Sequence, residues 1–322
     1  MDTIGLIKKG LIITTVSSLI ACGGGGGGSD DPTYTGKTSP AKITADNASE
    51  LTGAAVGGSG PASTTASLTG EPSDQEKKKV AGFARGLRGA ARSALREYQG
   101  GSSSAIGAVV QVDEPIEGEC GGTAVATGTI DDEVFDVDLT ITFKDYCDDG
   151  AIFNGVIGMK GTDDGDNSNV TMTFTNLDYK SKTESLTING TIASKGTDVN
   201  YTVSMTYDFR DNNAGKTYRA ENLVIVIYEP IFADYLTATI SGKIYHPDYG
   251  SFTISTDPEL VIDHAKGYPT SGTIRMDGAE ASSAAATYRS DGKYTLVIND
   301  GTTETTQLCD SLTDVCEDIT PK

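Results

Sequence analysis

Residues 101–322 predict a mainly β fold: an antiparallel meander curled toward a barrel or half-barrel, with one amphipathic helix N-terminal to it. Three observations carry this expectation. First, apolar residues alternate with Thr and other polar residues over long runs. "EVFDVDLTITF" places Phe135, Val137, Leu139, Ile141 and Phe143 on one face, and "VNYTVSMTYDF" does the same with Val199, Tyr201, Val203, Met205, Tyr207 and Phe209. "NVTMTFTNL", "ESLTINGTI", "ENLVIVIYE", "DYLTATISGKI" and "GKYTLVIND" continue the pattern. Second, turn-forming clusters recur between these runs, at "CDDG", "DDGDNSN", "RDNNAGK", "HPDYG" and "RSDGK". Third, no second helical periodicity interrupts them, so the connections should be hairpins rather than crossovers.

The chain opens with Lys8 and Lys9 followed by an uncharged run, Leu11 to Ala21. This is the layout of an export signal, and the run is shorter than the ~20 residues a membrane-spanning helix needs. Leu19-Ile20-Ala21-Cys22 then resembles the lipobox of bacterial lipoproteins, in which cleavage occurs before the Cys and that residue is acylated. The resemblance implies a signal peptide over 1–21, a mature chain starting at a lipidated Cys22 carrying palmitate-like chains, and, because Gly23 rather than Asp follows, sorting to the outer membrane. Multiple acyl chains on one residue would make release from the bilayer very slow.

Residues 22–72 comprise Cys22, six glycines and a Gly/Ser/Thr/Ala/Pro-rich stretch, which reads as a flexible tether with a root-mean-square reach of ~40 Å. A short helix is expected within it at "TADNASEL" (44–51). Residues 73–100 follow as a cationic amphipathic helix: Ser73 and Glu76 form a capping box, Gly100 supplies a stop, and Val80, Phe83, Leu87, Ala91, Ala94 and Tyr98 share one side. Arg85, Arg88, Arg92 and Arg96 share another side, suited either to the acidic β region or to a membrane surface or partner.

Within the β region, "FNGVIGMKGTD" (153–163) and "INGTIASKGTD" (188–198) align without a gap, and shorter echoes occur at "ISGKI" and "SGTI". A duplicated hairpin unit accounts for this. Gly155, Gly190, Gly242 and Gly272 are then expected inside strands, marking bends or close backbone approach. The stretch "FKDYCDDGAIFNGVIGMKG" also resembles uncharacterised β-rich outer-membrane lipoproteins of Gram-negative bacteria, a resemblance that brings no activity with it. A transmembrane barrel fits less well: Trp is absent, Thr fills much of the alternate face, and no aromatic girdle is evident.

Charge is divided unevenly. Residues 1–100 hold eleven Lys/Arg and nine Asp/Glu, whereas residues 101–322 hold fourteen and thirty-six. So acidic a region repels nucleic acid and anionic headgroups. Beyond Cys22, four cysteines remain: Cys120, Cys147, Cys309 and Cys316. In an exported chain an even number favours disulfides, and of three connectivities the nearest-neighbour pairing, Cys120–Cys147 with Cys309–Cys316, is the simplest. Their spacing matches no CxxC zinc or redox motif.

Nothing in the sequence assembles a catalytic signature. Neither His246 nor His264 sits in a metal-binding or nucleophile motif, and both read as turn or surface residues. P-loop, GxSxG and dinucleotide motifs are missing. Asp163, Asp164 and Asp166, with Asn167, could offer oxygen ligands to Ca2+, although the spacing departs from the EF-hand order. The expectation is therefore a non-enzymatic outer-membrane lipoprotein, a tethered β domain for envelope structure or binding of an envelope protein. The alternatives are a half-barrel carrier of a lipid or other apolar ligand, and calcium-dependent adhesion.

Overall fold

The computed structural model describes residues 33–57, 109–131, 136–148, 150–163, 167–182, 185–197, 199–230, 233–263, 266, 268–311 and 315–319. The leader with Cys22, the helix expected over 73–100, and the side chains of Asp164, Asp166 and His264 lie outside the described residues.

The described chain has one short helix, α1 (Ala48–Gly57), and seventeen strands. The first nine are long: β1 (Val109–Glu117), β2 (Thr123–Asp131), β3 (Asp136–Asp148), β4 (Ala151–Asp163), β5 (Ser168–Lys180), β6 (Ser185–Gly196), β7 (Asn200–Asp211), β8 (Lys216–Tyr228) and β9 (Tyr235–His246). Eight shorter ones follow: β10 (Gly250–Thr256), β11 (Leu260–Asp263), β12 (Pro269–Ser271), β13 (Thr273–Asp277), β14 (Ser283–Tyr288), β15 (Lys293–Asn299), β16 (Glu304–Asp310) and β17 (Cys316–Asp318). All five turn clusters read from the sequence connect consecutive strands.

Every strand pairing is antiparallel, and strands from β1 to β9 pair in chain order. β9 then holds two strands end to end: its C-terminal half pairs with β10 and its N-terminal half with β11. β13 and β12 pair with β10 and β11 in turn, after which β14 to β17 resume the meander. Among the described residues β1 pairs only with β2, and β17 only with β16, so the sheet is open.

One face of this sheet supplies the core. Val203, Phe209, Tyr218, Ile188 and Phe153 are fully buried and belong to one cluster that runs from β1 to β16. The opposite face carries exposed Thr residues, including Thr127, Thr140, Thr173, Thr191 and Thr206. Hairpin connectivity gives the sheet two ends. The turns after β1, β3, β5, β7 and β9 lie at one end, called proximal here, and the turns after β2, β4, β6 and β8 lie at the distal end.

A line of β-bulges crosses the strands. At Asp145 in β3, Asn176 in β5 and Asn222 in β8 the register slips and the backbone turns to positive φ, 48°, 46° and 50°. Short Asp and Asn side chains tolerate this conformation better than other non-glycine residues. Each bulge is held from both sides. Its amide donates to a neighbouring strand's side chain: Asp145 N–H to Asn154 Oδ1 (2.8 Å), Asn176 N–H to Asn189 Oδ1 (2.5 Å) and Asn222 N–H to Thr206 Oγ1 (3.2 Å). Its carbonyl faces a glycine on the other side, where a Cβ would come within 1.9 Å at Gly122, 2.1 Å at Gly155 and 2.8 Å at Gly242. The Asn154-Gly155 pair thus serves two bulges at once, the Asn clamping β3 and the Gly making room for β5. The repeated "NG" of the duplicated unit is a strand device rather than a turn, and the close approach expected at Gly155, Gly190, Gly242 and Gly272 is present, although Gly272 lies between β12 and β13 rather than inside a strand.

Three expectations require correction. The stretch 33–57, read as part of a flexible tether, is packed: Tyr34, Ala41, Ile43, Leu51 and Ala54 are buried. Its composition is tether-like, but its backbone is tied to the sheet by the bonds described below. The helix expected over 44–51 starts at Ala48 instead, preceded by a turn that Thr44 closes: its carbonyl accepts Ala48 N–H and its amide donates to Asn47 Oδ1 (both 2.9 Å), before Leu51 N–H donates to Asn47 O, also at 2.9 Å. His246, read as a turn or surface residue, is wholly buried at the end of β9.

Candidate functional site

The first described residues form a strap around the proximal end of the sheet. Tyr34 lies against the outer face, its ring against Tyr245 and beneath the Arg219 guanidinium, while its amide donates to Asp208 Oδ2 at 3.0 Å. Its hydroxyl donates to the carbonyls of Lys37 (2.6 Å) and His246 (3.1 Å), and burial pushes it up to about 12. Arg219 also holds Asp208 in a two-pronged contact, Nε donating to Oδ1 at 2.7 Å and Nη2 to Oδ2 at 2.8 Å. The strap then passes the β9–β10 turn, with Lys37 N–H donating to Pro247 O, Ser251 N–H to Ser39 O and Ala41 N–H to Ser251 O. Ile43 N–H reaches Ser282 Oγ, and α1 buries Ala48, Leu51, Ala54 and Ala55 in the core.

A polar cluster fastens α1 to the sheet. Glu50, from the first turn of α1, accepts from His246 Nε2 at 3.1 Å and from the Tyr249 hydroxyl at 2.8 Å. His246 Nδ1 accepts the Asp248 amide at 3.2 Å, which fixes the neutral tautomer with its proton on Nε2. The imidazole is flanked by the rings of Tyr218 and Tyr249. Lys216 completes the group, 2.6 Å from Asp248 and 3.8 Å from Glu50. Burial holds the imidazole below its ordinary pKa, overriding the attraction of Glu50 and Asp248. The Lys216 contact pulls Asp248 down, and Asp248 raises Lys216 in return.

Glu50, His246 and Asp248 bring three ligand-type atoms within 4.8 Å of one another, the one such group among the described residues. The arrangement does not suit a metal ion. Both imidazole nitrogens are engaged, one as donor and one as acceptor, and the Lys216 ammonium already supplies the positive charge between the two carboxylates. Nor does it suit acid–base chemistry, because the ring is sealed from solvent. What the cluster does is join α1 to the β8–β9–β10 end of the sheet. Sequence reasoning missed it because Glu50 and His246 are remote in the chain; the acidic first turn of the helix and the polar turn "HPDYG" were the available signals.

The predicted site residues fall elsewhere. Cys120–Cys147 and Cys309–Cys316 are both disulfides, with Cα separations of 5.1 and 4.0 Å. The first ties the β1–β2 turn to the end of β3, and the second joins the directly paired residues of β16 and β17. Asp163 ends β4 opposite Ser168, and the remaining aspartates of that turn are outside the described residues. No helix among the described residues is long and apolar enough to cross a membrane. Compared with protein-family models, with curated proteins and with solved structures, the chain matches none.

Proposed function

We propose that this protein is a non-enzymatic outer-membrane lipoprotein: a β domain held to the bilayer through acylated Cys22, contributing to envelope structure or binding an envelope partner. The observation that carries the reading is Leu19-Ile20-Ala21-Cys22, followed by glycines and, twelve residues after Cys22, by Tyr34 as an integral part of the fold. A lipid on Cys22 would hold the sheet itself, since pulling on residue 34 pulls on a strap bonded to β7, β9 and β10. We further propose that the sheet curls toward a half-barrel. One continuously buried face supports this, as does the line of bulges, each of which bends its strand and adds twist. A carrier of apolar ligands is favoured less, because Phe153, Ile188, Phe209 and Tyr218 already fill the face an acyl chain would occupy.

Metabolic labelling with a palmitate analogue tests the anchor. Wild type should incorporate label and partition with outer membranes, and Cys22→Ala should do neither. Equal behaviour of the two forms would end the reading.

A further inference from the structure

We infer that the proximal end of the sheet is the surface that faces the bilayer, and that the distal turns are presented away from it. This rests on the lipid-anchor reading. Cys22 precedes Tyr34 by twelve residues, which span at most ~40 Å. Strands of twelve or thirteen residues, such as β7 and β8, are themselves roughly 40 Å long. Tyr34 is fixed at the proximal end by Asp208, Tyr245 and the His246 carbonyl, so the distal end could meet the bilayer only with all twelve residues drawn straight along the height of the sheet, whereas the proximal end meets it at any shorter span.

Charge acts in the same direction. The described residues of the four distal turns include five Asp/Glu, Asp131, Asp136, Asp163, Glu229 and Asp234, and no Lys or Arg. Those of the five proximal turns include five Asp/Glu, Glu117, Glu119, Asp148, Asp211 and Asp248, against three lysines, Lys180, Lys182 and Lys216. Net charge over the described turn residues is thus −5 at the distal end and −2 at the proximal end. An anionic headgroup surface repels the distal end more strongly over the ~10 Å range that salt permits. Tether length and electrostatics select the same end as the one turned toward a phospholipid headgroup surface, the tether because it starts there and the charge because that end is repelled less.

The test uses the full-length lipidated protein in vesicles of phosphatidylcholine and phosphatidylglycerol that contain an acceptor-labelled headgroup. A single dye is placed at Lys182→Cys, in the proximal β5–β6 turn, or at Tyr235→Cys, exposed at the distal end; the four other β-domain cysteines are in disulfides. Energy transfer from position 182 should exceed that from position 235 by about threefold or more, given the ~40 Å between the two ends. Equal or reversed transfer in protein that floats with the vesicles would overturn the orientation while leaving the anchor standing. Failure to float, with Cys22→Ala behaving as wild type, would overturn the anchor and the orientation with it.

Discussion

His246 Nε2 lies 3.1 Å from Glu50 Oε1, with the imidazole buried and the carboxylate part-exposed, so a neutral ring and an ionised acid join the strap to the sheet. This geometry has a sign with respect to pH. The folded ring resists protonation, chiefly because it is buried, whereas an unfolded His titrates near 6.5. As pH falls below about 6.5 the unfolded chain takes up a proton that the fold refuses, and stability declines until the lower folded pKa is passed. Asp248, lowered by Lys216, adds a further loss below about pH 4. Asp178 and Asp211, raised by burial, act in the opposite sense, and His246→Phe retains both, so the difference between that variant and wild type isolates the imidazole. Urea midpoints between pH 7.5 and 5 should therefore fall, and the slope should flatten in His246→Phe, which is also expected to lose about 1–3 kcal/mol for the stranded Glu50 and Asp248 partners.

The bulges predict opposite responses at facing residues. Gly155 has φ 106° and would place a Cβ 2.1 Å from the Asn176 carbonyl, so Gly155→Ala should cost about 2–4 kcal/mol. Asn176, at φ 46°, is already in a conformation glycine prefers. Asn176→Gly gains backbone ease but loses the 2.7 Å bond its Oδ1 accepts from Asn189, and should stay within about 1 kcal/mol of wild type. Asn176→Val, β-branched at positive φ, should cost about 2 kcal/mol or more. Chemical denaturation of the three variants checks the order.

Much of this sheet is written locally. Val203, Met205, Tyr207 and Phe209 sit on the buried face that their alternation announces, and clusters such as "RDNNAGK" turn the chain where their residue types favour it. The bulges were also legible, though as a flaw in the pattern: the apolar spacing slips from two to three at Phe143–Tyr146, Phe174–Leu177 and Ala220–Leu223, each time with Asp or Asn in the third position. One slip looks like an irregular strand, whereas three of the same form are a repeated instruction. The strap was not legible. Its fastening depends on backbone groups of Ser39 and Ala41 and on partners hundreds of residues away, and a run of Gly, Ser, Thr and Ala announces neither. The burial of His246 depends on Tyr218 from the preceding strand, which the local sequence of a turn does not reveal.

The two disulfides should contribute unequally. Closing the 27-residue separation between Cys120 and Cys147 restricts the unfolded chain more than the 7-residue one between Cys309 and Cys316, by roughly 3.5 against 2.5 kcal/mol in the loop-closure treatment. Paired Cys→Ser substitutions, one disulfide at a time, should lower the denaturation midpoint in that order. A larger loss from the Cys309–Cys316 pair would mean that native contacts of β17, rather than chain entropy, set its contribution.

The strap predicts where the fold's N-terminal boundary lies. Leu51 is fully buried in the same cluster as Phe153, Phe209 and Tyr218, so its loss is felt by the sheet and not by α1 alone. Leu51→Ala should cost about 2–4 kcal/mol in the main unfolding transition, the range for truncating a buried leucine. A passive tether would instead leave that transition unmoved. Thr35, in contrast, is exposed between buried Tyr34 and half-buried Gly36, and Thr35→Ala should stay within about 0.5 kcal/mol of wild type. If both substitutions proved silent by calorimetry, residues 33–57 would be resting on the sheet rather than completing its core, and the mechanical link from Cys22 to the β9–β10 end would lose its basis.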